Sequence, residues 1–143
     1  MSNVNELWLS PSITLGKSDH TQLLSLVGTG RDDDIVEDLM QELDRAKVLA
    51  DAELPDDVVR MGALVRFRTG RDERRVVLVY PAEADIGSGK ISVLTPVGTA
   101  LIGLRAGQSI TFRTRDGRPQ MLTVVSVSPA AEAEDDDPGP AAA

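Results

Sequence analysis

Leu64-Val-Arg-Phe-Arg-Thr69, Gly70-Arg-Asp-Glu73 and Arg75-Val-Val-Leu-Val-Tyr80 read as two strand-like runs around a glycine-led hairpin loop. Each run is rich in β-branched and aromatic residues, and side chains in a strand alternate between its two faces. Three further runs share the character: Ile91–Thr95, Ser109–Thr114 and Leu122–Val127. Asp116-Gly117 separates the last two, and Gly supplies the positive φ that a hairpin turn needs. Val97–Leu104 reads instead as a short helix. Pro96 can open it, because the first helical residue needs no amide donor. The expected unit is α+β: an antiparallel sheet with one small helix packed on it.

Upstream the apolar period changes. Ser18 or Asp19 can cap a helix running through His20 to Val27, which Gly28 and Gly30 end. Asp32 or Asp33 starts a second helix, with Ile35, Val36, Leu39, Met40, Leu43, Ala46 and Ala50 spaced three and four apart. Leu54-Pro55-Asp56-Asp57 breaks the pattern. Two helices joined by a Gly-containing turn fold as an antiparallel, coiled-coil-like pair. The expected organisation is a helical arm over 1–53, a β-rich domain over 54–128 and a disordered acidic tail over 129–143, after a lead-in over 1–17.

Charge divides the chain at nearby positions. The net charge of −8 is −9 over residues 1–57, +6 over 58–127 and −5 over 128–143. Free nucleic acid is attracted only to the middle segment, which argues against a dedicated DNA-binding protein. No run of about 18 apolar residues spans a membrane. The N-terminus has no basic-then-apolar leader, and the cytoplasm is the expected compartment. With no cysteine there is neither a disulfide frame nor a thiolate metal site.

Catalytic chemistry is thinly supplied. His20 is the single histidine and reads as a surface residue, short of the partners that a triad or metal site needs. Gly87-Ser88-Gly89-Lys90 lacks the upstream glycine of a phosphate loop and reads as a connection between strands. Asp32, Asp33 and Asp34 have two readings: oxygen ligands for Mg²⁺, or caps that complement the dipole of the second helix. The arginine group that includes Arg66, Arg68, Arg74 and Arg75 is the main basic feature. It reads either as a solvated face balancing the acidic helices or as a contact for phosphate or an acidic protein surface. No aromatic platform accompanies it, so single-strand binding lacks support.

Ser92-Val-Leu-Thr95-Pro96-Val-Gly98-Thr-Ala100-Leu-Ile-Gly103-Leu-Arg-Ala-Gly107-Gln108 resembles the signature of the GreA/GreB transcription elongation factors. Glu42–Ala46, Leu54–Val59 with Met61, and Leu78–Ala82 resemble the Rnk branch, the regulators of nucleoside diphosphate kinase. The likeness runs over about residues 35–127. It implies an FKBP-like C-terminal domain and docking on the RNA polymerase β′ subunit, at the rim of the secondary channel. The residues matching the docking position are Leu94, Thr95, Pro96 and Val97; a purely structural reading makes Pro96 a helix start. Gre factors stimulate transcript cleavage with carboxylates at the tip of a long coiled coil. Here the second helix has about 18 residues, or ~27 Å at ~1.5 Å per residue. On that length Asp32, Asp33 and Asp34 stop short of the catalytic Mg²⁺. The resemblance thus implies a monomeric, non-enzymatic regulator with no cofactor. The kinase named in the family reads as an indirect transcriptional target. Two alternatives stay open: a cleavage stimulator with a shortened arm, and a module that binds an acidic partner through the arginine face. An FKBP-like fold also raises prolyl isomerisation, but Phe67, Tyr80 and Phe112 are the domain's only aromatics, too few to furnish such a pocket.

Overall fold

The computed structural model describes residues 11–28 and 34–129. Trp8, Asp32, Asp33 and the acidic segment from residue 130 onward lie outside the described residues.

Strands β3 (Ala63–Thr69), β4 (Asp72–Val79), β5 (Lys90–Ser92), β6 (Ser109–Arg113) and β7 (Pro119–Pro129) form a five-stranded sheet in the order β5-β4-β3-β7-β6. The sheet is antiparallel except for β5, which lies parallel to β4. Two single-turn 3-10 segments, Pro81–Glu83 and Ile86–Ser88, carry the chain across between them. The connection expected at Gly87–Lys90 is closed on itself: Asp85 and Lys90 exchange backbone hydrogen bonds of 2.8 and 3.0 Å. The β3–β4 turn is tighter than the loop expected over residues 70–73. Thr69 pairs with Asp72, leaving Gly70 and Arg71 as the turn, with Gly70 at φ +59°. Asp72 and Glu73 therefore belong to β4.

Val65 and Phe67 of β3, Val76 and Leu78 of β4, Ile110 and Phe112 of β6, and Leu122 and Val124 of β7 are buried on one face. Helix α3 (Pro96–Leu101) packs its Ala100 and Leu101 into the same cluster. It is six residues long, shorter than the expected Val97–Leu104, because Gly103 turns the chain at φ +82°.

Helices α1 (Lys17–Val27) and α2 (Asp34–Arg45) are the expected pair. Their apolar stripe reaches the sheet's own core: Leu23, Leu39 and Leu43 join Ile13 and Leu15 in the cluster that holds Val65 and Leu78. Burying a leucine side chain contributes about 1.5–3 kcal/mol, so these contacts join the pair firmly to the domain. The second helix is shorter than expected. It has 12 residues, about 18 Å at ~1.5 Å per residue. Lys47–Leu49 leaves it to form β2, paired in parallel with β1 (Thr14–Gly16), which replaces part of the expected lead-in. Ser18 and Asp19 do not cap α1. Gly16 occupies the N-cap, and both expected caps lie in the first turn with long-range partners.

Candidate docking surface

Between β5 and α3 the chain makes a turn held almost entirely by its own polar groups. The Leu94 N–H donates to Ser92 Oγ at 2.9 Å, and the Thr95 hydroxyl donates to the Ser92 carbonyl at 2.8 Å. Thr95 Oγ1 in turn accepts from the Gly98 N–H at 3.0 Å, a regular N-cap, with Pro96 at the first helical position. Behind it the buried Thr99 hydroxyl donates to the Val93 carbonyl at 2.7 Å. Gly98 is required by contact. A Cβ there would press on the Ser92 carbonyl and sit 2.8 Å from Val93 Cα. These bonds hold Leu94, Thr95, Pro96 and Val97 half-buried at the surface, in one fixed shape.

A groove of about 590 Å³ opens beside the turn. Phe67, Val76, Ile91 and Phe112 floor it, while Pro96 and Val97 form one wall. Arg74 and Arg115 stand among its lining residues. Sequence reading assigned no part to Arg115 or to Ile86, which also lines the groove and is 86% exposed. The hairpin signal at Asp116-Gly117 could have found Arg115, since it places that residue at the same end of the sheet as Gly70 and Arg71.

The four basic-face arginines separate. Arg66 pairs with Arg75 and Arg68 with Glu73, so these side chains share the outer face of the sheet. Arg74 pairs with the buried Phe67 and faces the other way, toward the groove. Glu73 bridges Arg66 at 3.0 Å and Arg68 at 3.5 Å.

Of the three tip aspartates only Asp34 is described, exposed in the first turn of α2. Burial and the Asp34 charge raise the pKa of Asp38, one turn further on. Among the described residues no three His, Cys, Asp or Glu side chains gather as a metal site. No described helix is long and apolar enough to cross a membrane.

The junction of the helices with the sheet carries its own electrostatics. Asp19 accepts from the Met61 N–H at 2.9 Å. Burial raises its pKa above the usual carboxylate value despite that bond, and Asp51 adds to the rise. Asp51 itself is held low by the Ser18 hydroxyl and N–H. Tyr80 is pushed up to about 12, first by burial and then by the Asp19 and Glu83 charges; its buried hydroxyl has no hydrogen-bond partner among the described residues. His20 Nε2 lies 3.2 Å from the Leu43 carbonyl and ties α1 to α2.

A mostly antiparallel sheet thus has a short edge strand that turns through a Thr-Pro cap into a six-residue helix. Residues 54–129, more than half of the chain, match the family described as "Transcription elongation factor, GreA/GreB, C-term". The chain belongs to this GreA/GreB family. Within it, the chain is 42% identical over 104 residues to the Regulator of nucleoside diphosphate kinase of Escherichia coli (strain K12), covering 71% of this chain and 76% of that protein. Transcription elongation factor GreA of Thermodesulfovibrio yellowstonii is 38% identical over 80 residues, 54% of this chain and 51% of that one. Among solved structures, the prokaryotic transcription elongation factor GreA/GreB from Nitrosomonas europaea matches 83% of this chain and 99% of its own, at 36% identity and a TM-score of 0.68.

Proposed function

We propose that this chain is an RNA polymerase-binding regulator of transcription elongation, docking through Leu94–Val97 at the secondary-channel rim on the β′ subunit and stimulating no transcript cleavage. Similarity to elongation factors supports the polymerase as partner. A rigid, half-buried turn beside an apolar groove supports the docking position, because a pre-shaped surface loses little conformational freedom on binding.

One observation carries the absence of cleavage. The second helix has 12 residues, about 18 Å at ~1.5 Å per residue, and its Leu39 and Leu43 are fixed in the domain core. A finger that short, held at its base, keeps Asp34 beside its own domain, too far from the catalytic metal to help hold it.

Binding to core polymerase, measured by fluorescence anisotropy with GreA as competitor, tests the docking. We expect competition for one site. Thr95→Ala should weaken binding about tenfold, while Thr95→Ser restores it, since either hydroxyl caps α3. Purified protein added to backtracked complexes should leave the transcript intact. Cleavage that Asp33→Ala with Asp34→Ala abolishes would establish the cleavage-stimulating alternative instead. Unimpaired binding by Thr95→Ala would move the docking site elsewhere.

A further inference from the structure

The outer face of the β3–β4 ribbon has a charge problem that the described residues do not solve. Arg66 lies directly opposite Arg75, and like charges in that cross-strand position destabilise a sheet. Glu73 is the nearby counter-charge, but its two oxygens are taken by Arg66 and Arg68. Three exposed guanidinium groups therefore share one carboxylate, and among the described residues no ion pair reaches Arg75. The other side of the sheet differs in kind. The helices packed there belong to residues 1–57, whose net charge of −9 includes Asp19 and Asp51.

The chain supplies a matching anion. Glu132, Glu134, Asp135, Asp136 and Asp137 follow β7 with no lysine or arginine among them or after them. Where β7 ends decides what they can reach. Pro129 pairs with Ala63 on β3, three residues before Arg66, which is about 10 Å at ~3.3 Å per residue. Asp135 lies six steps along the chain from Pro129, a span of up to about 20 Å at ~3.4 Å each. That is enough to reverse direction and return to Arg66. The acidic helical side repels such a segment and the arginine side attracts it.

We propose that the outer face formed by Arg66, Arg68 and Arg75 is the docking site of this chain's own acidic segment, Glu132–Asp137. The segment supplies the counter-charge that the Arg66–Arg75 opposition lacks and shields the face from other polyanions. This face is separate from the Leu94–Val97 turn, so the two proposals stand or fall apart.

The natural absence of cysteine allows a single nitroxide to be placed by Ala141→Cys in the full chain. At low ionic strength we expect the label to broaden the backbone amides of Arg66–Arg68 and Glu73–Arg75 most strongly. The broadening should fade in ~1 M salt, where the screening length is ~3 Å, and in the double variant Arg66→Gln with Arg75→Gln. Broadening that is absent, that falls instead on the β6–β7 turn or the helices, or that ignores both salt and the double variant overturns the proposal. A second arm uses a short single-stranded oligonucleotide as the polyanion probe. Converting the five acids to Gln and Asn should tighten its binding about tenfold at low salt. The Arg66→Gln, Arg75→Gln pair should cancel that gain. If the unmodified chain already binds the oligonucleotide on this face as tightly as the neutralised one, the face serves nucleic acid and the tail proposal fails.

Discussion

The helical base and the β5–α3 turn are attached to the same core by opposite means. The base is held by bonds between distant residues: Asp19 to Met61, Ser18 to Asp51, Thr14 to Gly103 and Lys47 to Ile13. The turn is held by bonds between near neighbours, from Ser92 through Thr95 to Gly98, and from Thr99 to Val93. Local bonds fix a shape, whereas distant bonds fix an orientation. The protein therefore has a turn whose form is encoded in a few adjacent residues, and a helical pair whose direction depends on the whole domain.

Leu39→Ala tests the second half of that contrast most severely. Leu39 is fully buried in the shared cluster, and such a truncation costs about 2–5 kcal/mol. Urea unfolding followed by helix ellipticity and by sheet amide resonances should shift to lower denaturant along one common curve. Separate curves for helix and sheet would show that the pair is an independent unit and undo the comparison.

Gly98→Ala tests the first half. Overpacking against Ser92 and Val93 should cost about 1–3 kcal/mol, seen in the unfolding midpoint. Because the strain falls on the turn, polymerase affinity should drop by more than the fraction of unfolded protein explains. A destabilised chain that binds normally would show that the turn's shape is irrelevant to docking.

The smallest effect is one of pH. Burial raises the Asp19 pKa, so the folded state holds that proton more tightly than the unfolded chain does. Its stabilising contribution is present below the unfolded value and is lost as pH rises through the folded one. Asp19→Asn keeps an acceptor for the Met61 N–H without a buried charge. The stability of the natural chain relative to this variant should therefore decline from acid to neutral pH. The Ser18–Asp51 contact has the opposite sign and is present in both chains. Unfolding midpoints that stay parallel across that range would contradict the burial account.

Legibility in the sequence follows the same division. The helix start at Pro96, the glycine turns at Gly70 and Gly117 and the alternation of β3 and β4 depend on residues a few positions apart, and they could be read directly. Ser18 and Asp19 have the chemistry of caps, and only the fold sends them to Asp51 and Met61, 33 and 42 residues away. The end of α2 was missed for the same reason. Ala46 and Ala50 continue a helical period, but Lys47–Leu49 finds a strand partner in Thr14–Gly16 that no local pattern announces. At the site, Pro96 was legible as a helix start, whereas Thr95 was read as the end of a strand and its capping role emerges only in the fold. Arg74 could be set apart from Arg66, Arg68 and Arg75 only once the register placed it opposite Phe67.

The parallel pairing of Thr14–Gly16 with Lys47–Leu49 brings the chain into the helices and out of them at neighbouring points. Whatever lies between those points is a cassette plugged into a fixed socket. Whole turns could be added to both helices together, or removed, without rebuilding a single sheet contact, because lengthening the connection beyond a closed base costs only a slowly growing entropy. Reach thus becomes a quantity that evolution or a designer can adjust separately from grip.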